Sequence, residues 1–375
     1  MASKRKHSQY YSLNEILKKN CQYNIIIGER SNGKTYATLK HCLSMYAQYG
    51  YQTAYIRRMT EDFRGKRGVE LFTALSANNE IEKVTDGRWN AIYYYSSRWY
   101  LCRYGENAKG IVEKLEQDSQ PFMYAFALSA MEHDKGSGYP MIKQIVFDEF
   151  ISRIGYLNDE FMLYMNTLST IIRQRNDVTI FMLANTVNKF CPYFAEMGLR
   201  HIRDMKQGTI DVYQMGNQGL KIAVEYCGGN VNKKKKSDLY FSFDNPKLQM
   251  ITGGTWEIDI YPHCPYKYKS KDIIFTFFIL FDRELLQCEV VSVDNNAFIF
   301  IHRKTTPLKD ENNDLIYAEK FDARPNWRRK ITIPILPVEH KLLEFFKADK
   351  IFYQDNEVGE IVRNYLMWCG GKNES

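Results

Sequence analysis

Asn24-Ile25-Ile26-Ile27-Gly28-Glu29-Arg30-Ser31-Asn32-Gly33-Lys34-Thr35 decides how this chain is read. Residues 24–27 are a short apolar run that suits a buried strand, and residues 36–46 can continue as a helix. Between them, Gly28 to Thr35 satisfy GxxxxGK[ST] without departure. The chemistry needs this arrangement. Two glycines let the backbone fold into a nest of N–H donors at the positive end of a helix, where a β-phosphate binds. Lys34 then reaches the β- and γ-phosphates, and the Thr35 hydroxyl ligates Mg²⁺. The expected cofactors are ATP and Mg²⁺, and the expected binding set is Gly28, Glu29, Arg30, Ser31, Asn32, Gly33, Lys34 and Thr35.

A second segment completes the chemistry. Gln144-Ile145-Val146-Phe147-Asp148-Glu149 is an apolar strand that ends on two carboxylates. Asp148 is expected to hold Mg²⁺, and Glu149 to act as the general base that orients and deprotonates a water. The pair favours hydrolysis over phosphoryl transfer to a small acceptor, because a kinase needs no water-activating glutamate there. A third apolar run, 178–183, leads into Asn185, a candidate γ-phosphate sensor, though a turn or cap asparagine reads the same way. Just before that run lies Ile172-Arg173-Gln174-Arg175, a place from which an arginine could reach a neighbour's nucleotide. Arg57 and Arg58, after the run 53–56, could face nucleotide, DNA or solvent, with a surface pair as the default.

Outward from these motifs the order is strand, glycine turn, helix, strand, insertion, strand, helix, strand. Buried runs alternating with helices predict an α/β fold, a parallel sheet with helices on both faces. The insertion at 89–104 has two aromatic halves around Ser96-Ser97, which predicts a hairpin. After Gly208 the chain is rich in Gly, Asn and Lys, so 208–247 reads as a linker or small linking subdomain. Its four-lysine run suits a solvated linker or a phosphate-contacting patch. Beyond it, apolar runs broken by turns such as Asp294-Asn295-Asn296 predict a β-meander, closed by two helices. The expected division is 1–207, 208–247 and 248–375, the last an α+β domain with its own sheet.

Composition limits the alternatives. With 375 residues the chain can hold two domains of about 150 residues each. Hydrophobic residues at 45% rule out disorder over most of the length. The net charge of +7 favours a polyanionic partner, weakly for a chain this long. No apolar run approaches the ~20 residues of a membrane span. The eight cysteines are dispersed without a CxxC pair, which predicts reduced thiols and no Cys/His metal site.

The segments NIIIGERSNGKTYA, TAYIRRM, YPMIKQIVFDEF, RQRNDVTIFMLANTVNKFCPYF and FYQDNEVGEIVRNYL resemble the DNA-encapsidation ATPases of small protein-primed podophages, relatives of the terminase large subunits. The similarity runs in order over most of the chain and is weakest at 60–120 and 205–270. It implies an N-terminal P-loop ATPase domain, a linker, and a C-terminal RNase H-like domain that has lost nuclease chemistry. It further implies a homo-oligomeric ring, a pentamer by resemblance. That ring would push double-stranded DNA through a procapsid portal in the host cytoplasm, with a packaging RNA as a further partner. Residue by residue, Lys34, Asp148 and Glu149 fall on the ATPase positions, Arg173 on a trans-acting arginine finger, and Lys135 on a second trans-acting basic residue. The family's basic DNA-facing position after the second strand is Thr60 here, a departure, with Arg64, Lys66 and Arg67 close by. Arg153 lies beside another DNA-facing position. Two other readings stay open. One is an active metal-dependent nuclease using carboxylates such as Glu257, Asp259, Asp272, Asp282 and Asp294. The other is a non-motor nucleotide switch.

Overall fold

Ile25, Ile26 and Ile27 are fully buried, and they form the middle of strand β1 (Tyr23–Gly28). In the computed structural model the described residues are 11–134, 138–186, 188–199, 201–216, 219–228, 256 and 259–369. They group into two units. The first draws on Met1–Ile151, Glu160–Val187 and Asp204–Thr255, and the second on Ser152–Asp159, Asn188–Arg203 and Trp256–Ser375.

The first unit is mixed α/β around a ten-stranded sheet. Besides β1 it contains β2 (Gln52–Arg57), β3 (Ala91–Tyr95), β4 (Arg98–Glu106), β5 (Val112–Gln117), β6 (Met123–Ala127), β7 (Ile142–Asp148), β8 (Thr179–Asn185), β9 (Thr209–Met215) and β10 (Leu220–Tyr226). The order is β3-β4-β6-β2-β7-β8-β1-β10-β9, with β5 paired to β4. Strands β6, β2, β7, β8, β1 and β10 are parallel neighbours, and their near-continuous burial is what a sheet covered on both faces requires. Helix Lys34–Tyr49 follows β1, and helix Glu160–Ile172 links β7 to β8. Strand β8 therefore separates β1 from β7, and the carboxyl ends of all three meet on one edge.

The expected hairpin forms between β3 and β4. Ser96 and Ser97 both take positive φ (48° and 57°), the type I′ geometry that matches strand twist. Behind it, Trp99 packs edge-to-face on Tyr55, Phe63 and Phe72 and donates its indole N–H to Gly68 O at 2.7 Å.

The expected linker at 208–247 is corrected. β10 pairs with β1 and β9 with β10, so 209–226 extend the main sheet. Gly216 and Gly219, read as linker residues, take the positive φ of a hairpin turn (61° and 75°). Ile222, Ala223 and Val224 are buried where β10 meets β1. The four-lysine run at 233–236 lies outside the described residues. The expected boundary at 207 is also crossed, since 152–159 and 188–203 group with the second unit.

The second unit has a six-stranded sheet of β11 (Ile273–Phe281), β12 (Glu284–Val293), β13 (Asn296–Arg303), β14 (Ile316–Ala318), β15 (Trp327–Arg328) and β16 (Ile351–Tyr353). β11, β12 and β13 form the expected meander, through two-residue turns at Asp282-Arg283 and Asp294-Asn295 whose φ values are all positive. β14 then runs parallel to β11, and β15 parallel to β14. Helix Asn356–Cys369 buries Val358, Ile361, Val362 and Tyr365, with Tyr365 against Phe281. Among the described residues no helix is long and apolar enough to cross a membrane.

Candidate active site

Sheet register brings the motif residues together. Gly28 at the end of β1 is level with Asn185 at the end of β8, and Leu183 of β8 is level with Asp148 of β7. These carboxyl ends and the start of helix Lys34–Tyr49 enclose one site, where open α/β sheets bind ligands. Gly33 takes φ 95° to turn the loop into the helix. Gly28 is needed for a different reason. A Cβ there would lie 2.7 Å from Cys227 Cβ and 2.9 Å from Asn32 Nδ2.

Lys34 is buried and its ammonium is fully bonded. It donates to Gly28 O (3.2 Å), Glu29 O (2.8 Å), Asn32 Oδ1 (3.1 Å) and Asn185 Oδ1 (3.3 Å). Burial pulls its pKa below the usual lysine range, while Asp148 and Glu29 oppose that shift. Arg30 and Ser31 are exposed at the loop tip. The Thr35 hydroxyl lies 3.2 Å from Asp148 Oδ2. This hydroxyl–carboxylate pair fits Mg²⁺, a hard cation that takes one or two protein oxygens and completes its shell with phosphate and water. Bound there, the ion would neutralise charge on phosphate oxygens.

Asp148 also accepts from the Tyr55 hydroxyl at 2.7 Å, and burial and this carboxylate push the Tyr55 pKa well up. Glu149 follows Asp148 with φ 59°, an uncommon conformation for a non-glycine residue, and its amide donates to Asp148 Oδ1 at 3.0 Å. Its side chain reaches outward and is paired with Arg57 Nη2 at 2.8 Å. Burial opposes the charge on Arg57, but Tyr55, Asp148, Glu149 and Asp62 outweigh it and raise its pKa.

Arg173 is not in this cluster. It is exposed and ends helix Glu160–Ile172 with φ 53°. That end precedes the amino end of seven-residue β8, so Arg173 stands about 20 Å from its own site by strand rise. Arg175 is spoken for, donating to Ile142 O (2.7 Å), Pro140 O (2.9 Å) and Ile171 O (2.9 Å), which fastens the helix end to β7. Lys135 lies outside the described residues. Arg64, Lys66 and Arg67 are exposed, Arg67 donating to Glu61 O at 2.8 Å, and Arg153 belongs to the second unit.

Sequence reasoning missed three neighbours, Tyr55, Tyr11 and Cys227, and left Arg57 open between nucleotide, DNA and solvent. Tyr55 and Arg57 alternate on β2, and that period, with a carboxylate pair ending the adjacent β7, was the available signal. Tyr11 donates its amide to Asn32 O (3.0 Å) and its hydroxyl to Glu225 (2.7 Å), and Cys227 backs Gly28. Nothing local in the sequence marks these last two.

A sequence model described as "Podovirus DNA encapsidation protein (Gp16)" matches residues 5–94 and 113–227, more than half of the chain. The chain belongs to that family. It is 27% identical over 179 residues to a DNA packaging protein of Bacillus phage B103, covering 47% of this chain and 48% of that one. It is likewise 27% identical over 190 residues to the DNA packaging protein of Bacillus phage phi29, covering 50% and 49%. The chain thus spans about half the length of the curated relatives it matches. Among solved structures, the Phi-28 gp11 DNA packaging motor shares the fold of this Gp16-family chain. That match has a TM-score of 0.59 at 18% identity and covers 98% of this chain and 100% of that one.

Proposed function

We propose that this chain is an ATP-hydrolysing motor that moves double-stranded viral DNA into a procapsid, working as a homo-oligomeric ring docked on the portal in the host cell. The observation that carries this reading is the convergence of Lys34, Thr35, Asp148, Glu149 and Asn185 on one sheet edge, in a member of a DNA-encapsidation family. Lys34 neutralises phosphate, Thr35 and Asp148 hold Mg²⁺, Asn185 reads the γ-phosphate, and Glu149 takes the proton of the attacking water. Arg173 serves the next subunit's nucleotide, with Lys135 as a second basic residue acting across the interface. Grip on DNA is phosphate-directed, since a translocase must accept every sequence. Arg64, Lys66, Arg67 and Arg153 are the proposed contacts. A pentameric ring and a packaging RNA are parts of the same proposal.

The test is ATP turnover with and without duplex DNA. Duplex should stimulate the wild-type chain, whereas Lys34→Ala should fail to bind ATP at all. Turnover indifferent to DNA would favour a nucleotide switch, and normal ATP binding by Lys34→Ala would end the P-loop reading.

We infer that the second unit is RNase H-like and cuts no DNA. The reading is supported by strand order, a meander followed by two parallel strands added beside β11. Asp282 and Glu319 follow the adjacent β11 and β14, where a nuclease would keep metal ligands. Here the Arg203 guanidinium pairs with Asp282 and with Glu284 (2.9 Å), while Glu319 accepts from the Asp282 amide at 2.7 Å. Burial lifts the Glu319 carboxyl to about 7. A guanidinium fixed on Asp282 and Glu284 is poor company for two divalent ions. Among the described residues no group of three or more metal-ligating His, Cys, Asp or Glu side chains occurs. Plasmid incubated with the protein and Mg²⁺ or Mn²⁺ should stay intact. Cleavage abolished by Asp282→Asn or Glu319→Gln would overturn the inference.

A further inference from the structure

We propose that the outer face of β3, β4 and β6 is a stacking platform for single-stranded DNA. Residues paired directly across an antiparallel ladder share a face. Tyr93 pairs with Tyr100 and Tyr95 with Arg98; Arg98 also pairs with Tyr124, and Tyr104 with Lys114 of β5. One face therefore carries five tyrosines and two cations. The opposite face carries Trp99, Leu101 and Met123, all buried in the core.

Access to the rings differs, since Lys114 caps one face of Tyr93 and Tyr124 packs edge-on against Tyr139. Tyr95 is 64% exposed and Tyr104 37%, while Tyr93, Tyr100 and Tyr124 are half-buried. Tyr93 and Tyr95 lie parallel within 11°, their centroids 6.2 Å apart. Lys114 Nζ sits 3.5 Å from the Tyr93 centroid, and the Arg98 guanidinium 5.7 Å from that of Tyr124. The acids of β5 fall elsewhere: Glu116 pairs with Arg103 on the other face, and Glu113 with Gly105. Glu106, paired with Val112, is the acid that register puts on the tyrosine face among the described residues.

Chemistry selects the occupant. Duplex DNA hides its base faces in the stack and offers side chains phosphates, sugars and base edges, so a flat strip of exposed rings finds no face to stack on. Unpaired bases have free faces that stack on aromatic rings in any sequence, while adjacent cations take the phosphates. Residues 95–112, with Tyr95, Arg98, Tyr100 and Tyr104, fall outside the family match, while Tyr93, Lys114 and Tyr124 fall within it. The choice of DNA over RNA rests on the function proposed above; the rest of the inference does not.

The experiment is fluorescence anisotropy of the full chain with a labelled twenty-nucleotide oligo-dT, with oligo-U and a duplex of equal length as the other arms. Tyr93→Ala with Tyr95→Ala should weaken oligo-dT binding at least ~10-fold, since each stacked base contributes roughly 5-fold or more and two rings are removed. The pair of Phe substitutions, which keep the rings, should retain it. Arg98→Ala and Lys114→Ala should each lower the salt slope for oligo-dT by about 0.7, as for one phosphate contact on a single strand. Duplex affinity and duplex-stimulated ATP turnover should stay within about twofold in all of them. Unchanged oligo-dT affinity, or equal loss on duplex, overturns the proposal. Loss confined to oligo-U overturns the choice of DNA. A changed oligomeric state by light scattering with oligo-dT binding intact gives the face to a second copy of the chain. Absence of duplex-stimulated turnover in the wild type would defeat the motor reading while the oligo-dT arm still decides the platform.

Discussion

Glu149→Gln will bind ATP with Mg²⁺ and leave it unhydrolysed. The substitution keeps the shape of the side chain and leaves Lys34, Thr35 and Asp148 in place, so affinity for the nucleotide survives. What is lost is the group that accepts a proton from the attacking water, an effect of roughly 10²–10⁴-fold on turnover. The backbone argues for this residue over Asp148. Glu149 is held at φ 59° with its amide tied to Asp148, which turns its carboxylate outward while Asp148 stays with Thr35 and Tyr55. Arg57 accepts either an acid or an amide oxygen as partner, so the variant keeps its orientation too. Single-turnover hydrolysis against filter-bound ATP separates the two steps. A variant that keeps most of the wild-type rate would hand the base role to another group.

Arg173→Ala should bind ATP nearly normally and lose DNA-stimulated turnover, by roughly 10³–10⁵-fold if the guanidinium stabilises transition-state charge. Its own site is too distant to serve, so any nucleotide it touches belongs to a neighbour. The residue also sits where its side chain is a local liability: φ 53° at a helix end suits glycine, and a residue with a Cβ costs about 1–2 kcal/mol there. Arg173→Gly should therefore be more stable than Arg173→Ala in thermal unfolding while being equally inactive. Arg173→Lys should rescue poorly, because a point charge lacks the planar fork. Mixing is decisive. Arg173→Ala subunits have an intact base, and Glu149→Gln subunits have an intact arginine, so mixed rings should recover some hydrolysis. Mixtures that co-assemble yet stay as inactive as either parent would exclude Arg173 as a finger in trans. Arg175, bonded to carbonyls of its own chain, would not be its replacement; Lys135 would.

What the sequence made legible is what depends on near neighbours in the chain. The loop Gly28–Thr35 needs its glycines and lysine at fixed spacing, and the two-residue turn at Ser96-Ser97 is set by the strands beside it. The parallel core followed from buried runs separated by helices, and register alone then carried Asn185 to Lys34. Strands β9 and β10 escaped because the Gly- and Asn-rich sequence around them and their part-exposed residues have the composition of a linker; only the pairing of β10 with β1, and of β9 with β10, makes them sheet. The reading of Arg57 stayed open for a related reason. An arginine after a strand is usually solvated, and only β7 lying alongside gives it Asp148 and Glu149. Tyr11 meets Glu225 and Asn32 through the fold, with no periodicity in the chain to announce it.

The contact between Gly28 and Cys227 carries a consequence for how such a chain can drift. Position 28 tolerates no side chain because the cysteine Cβ already fills the space, and position 227 in turn has a ceiling on its bulk. Valine, leucine or phenylalanine at 227 would press on the first residue of the phosphate loop as surely as alanine at 28 would press on the cysteine. Position 28 is thus held to glycine while 227 carries a side chain, and 227 is held to small residues. A composition-poor segment that looks dispensable is for that reason held to narrow choices at its last residue, by a loop it never meets in sequence.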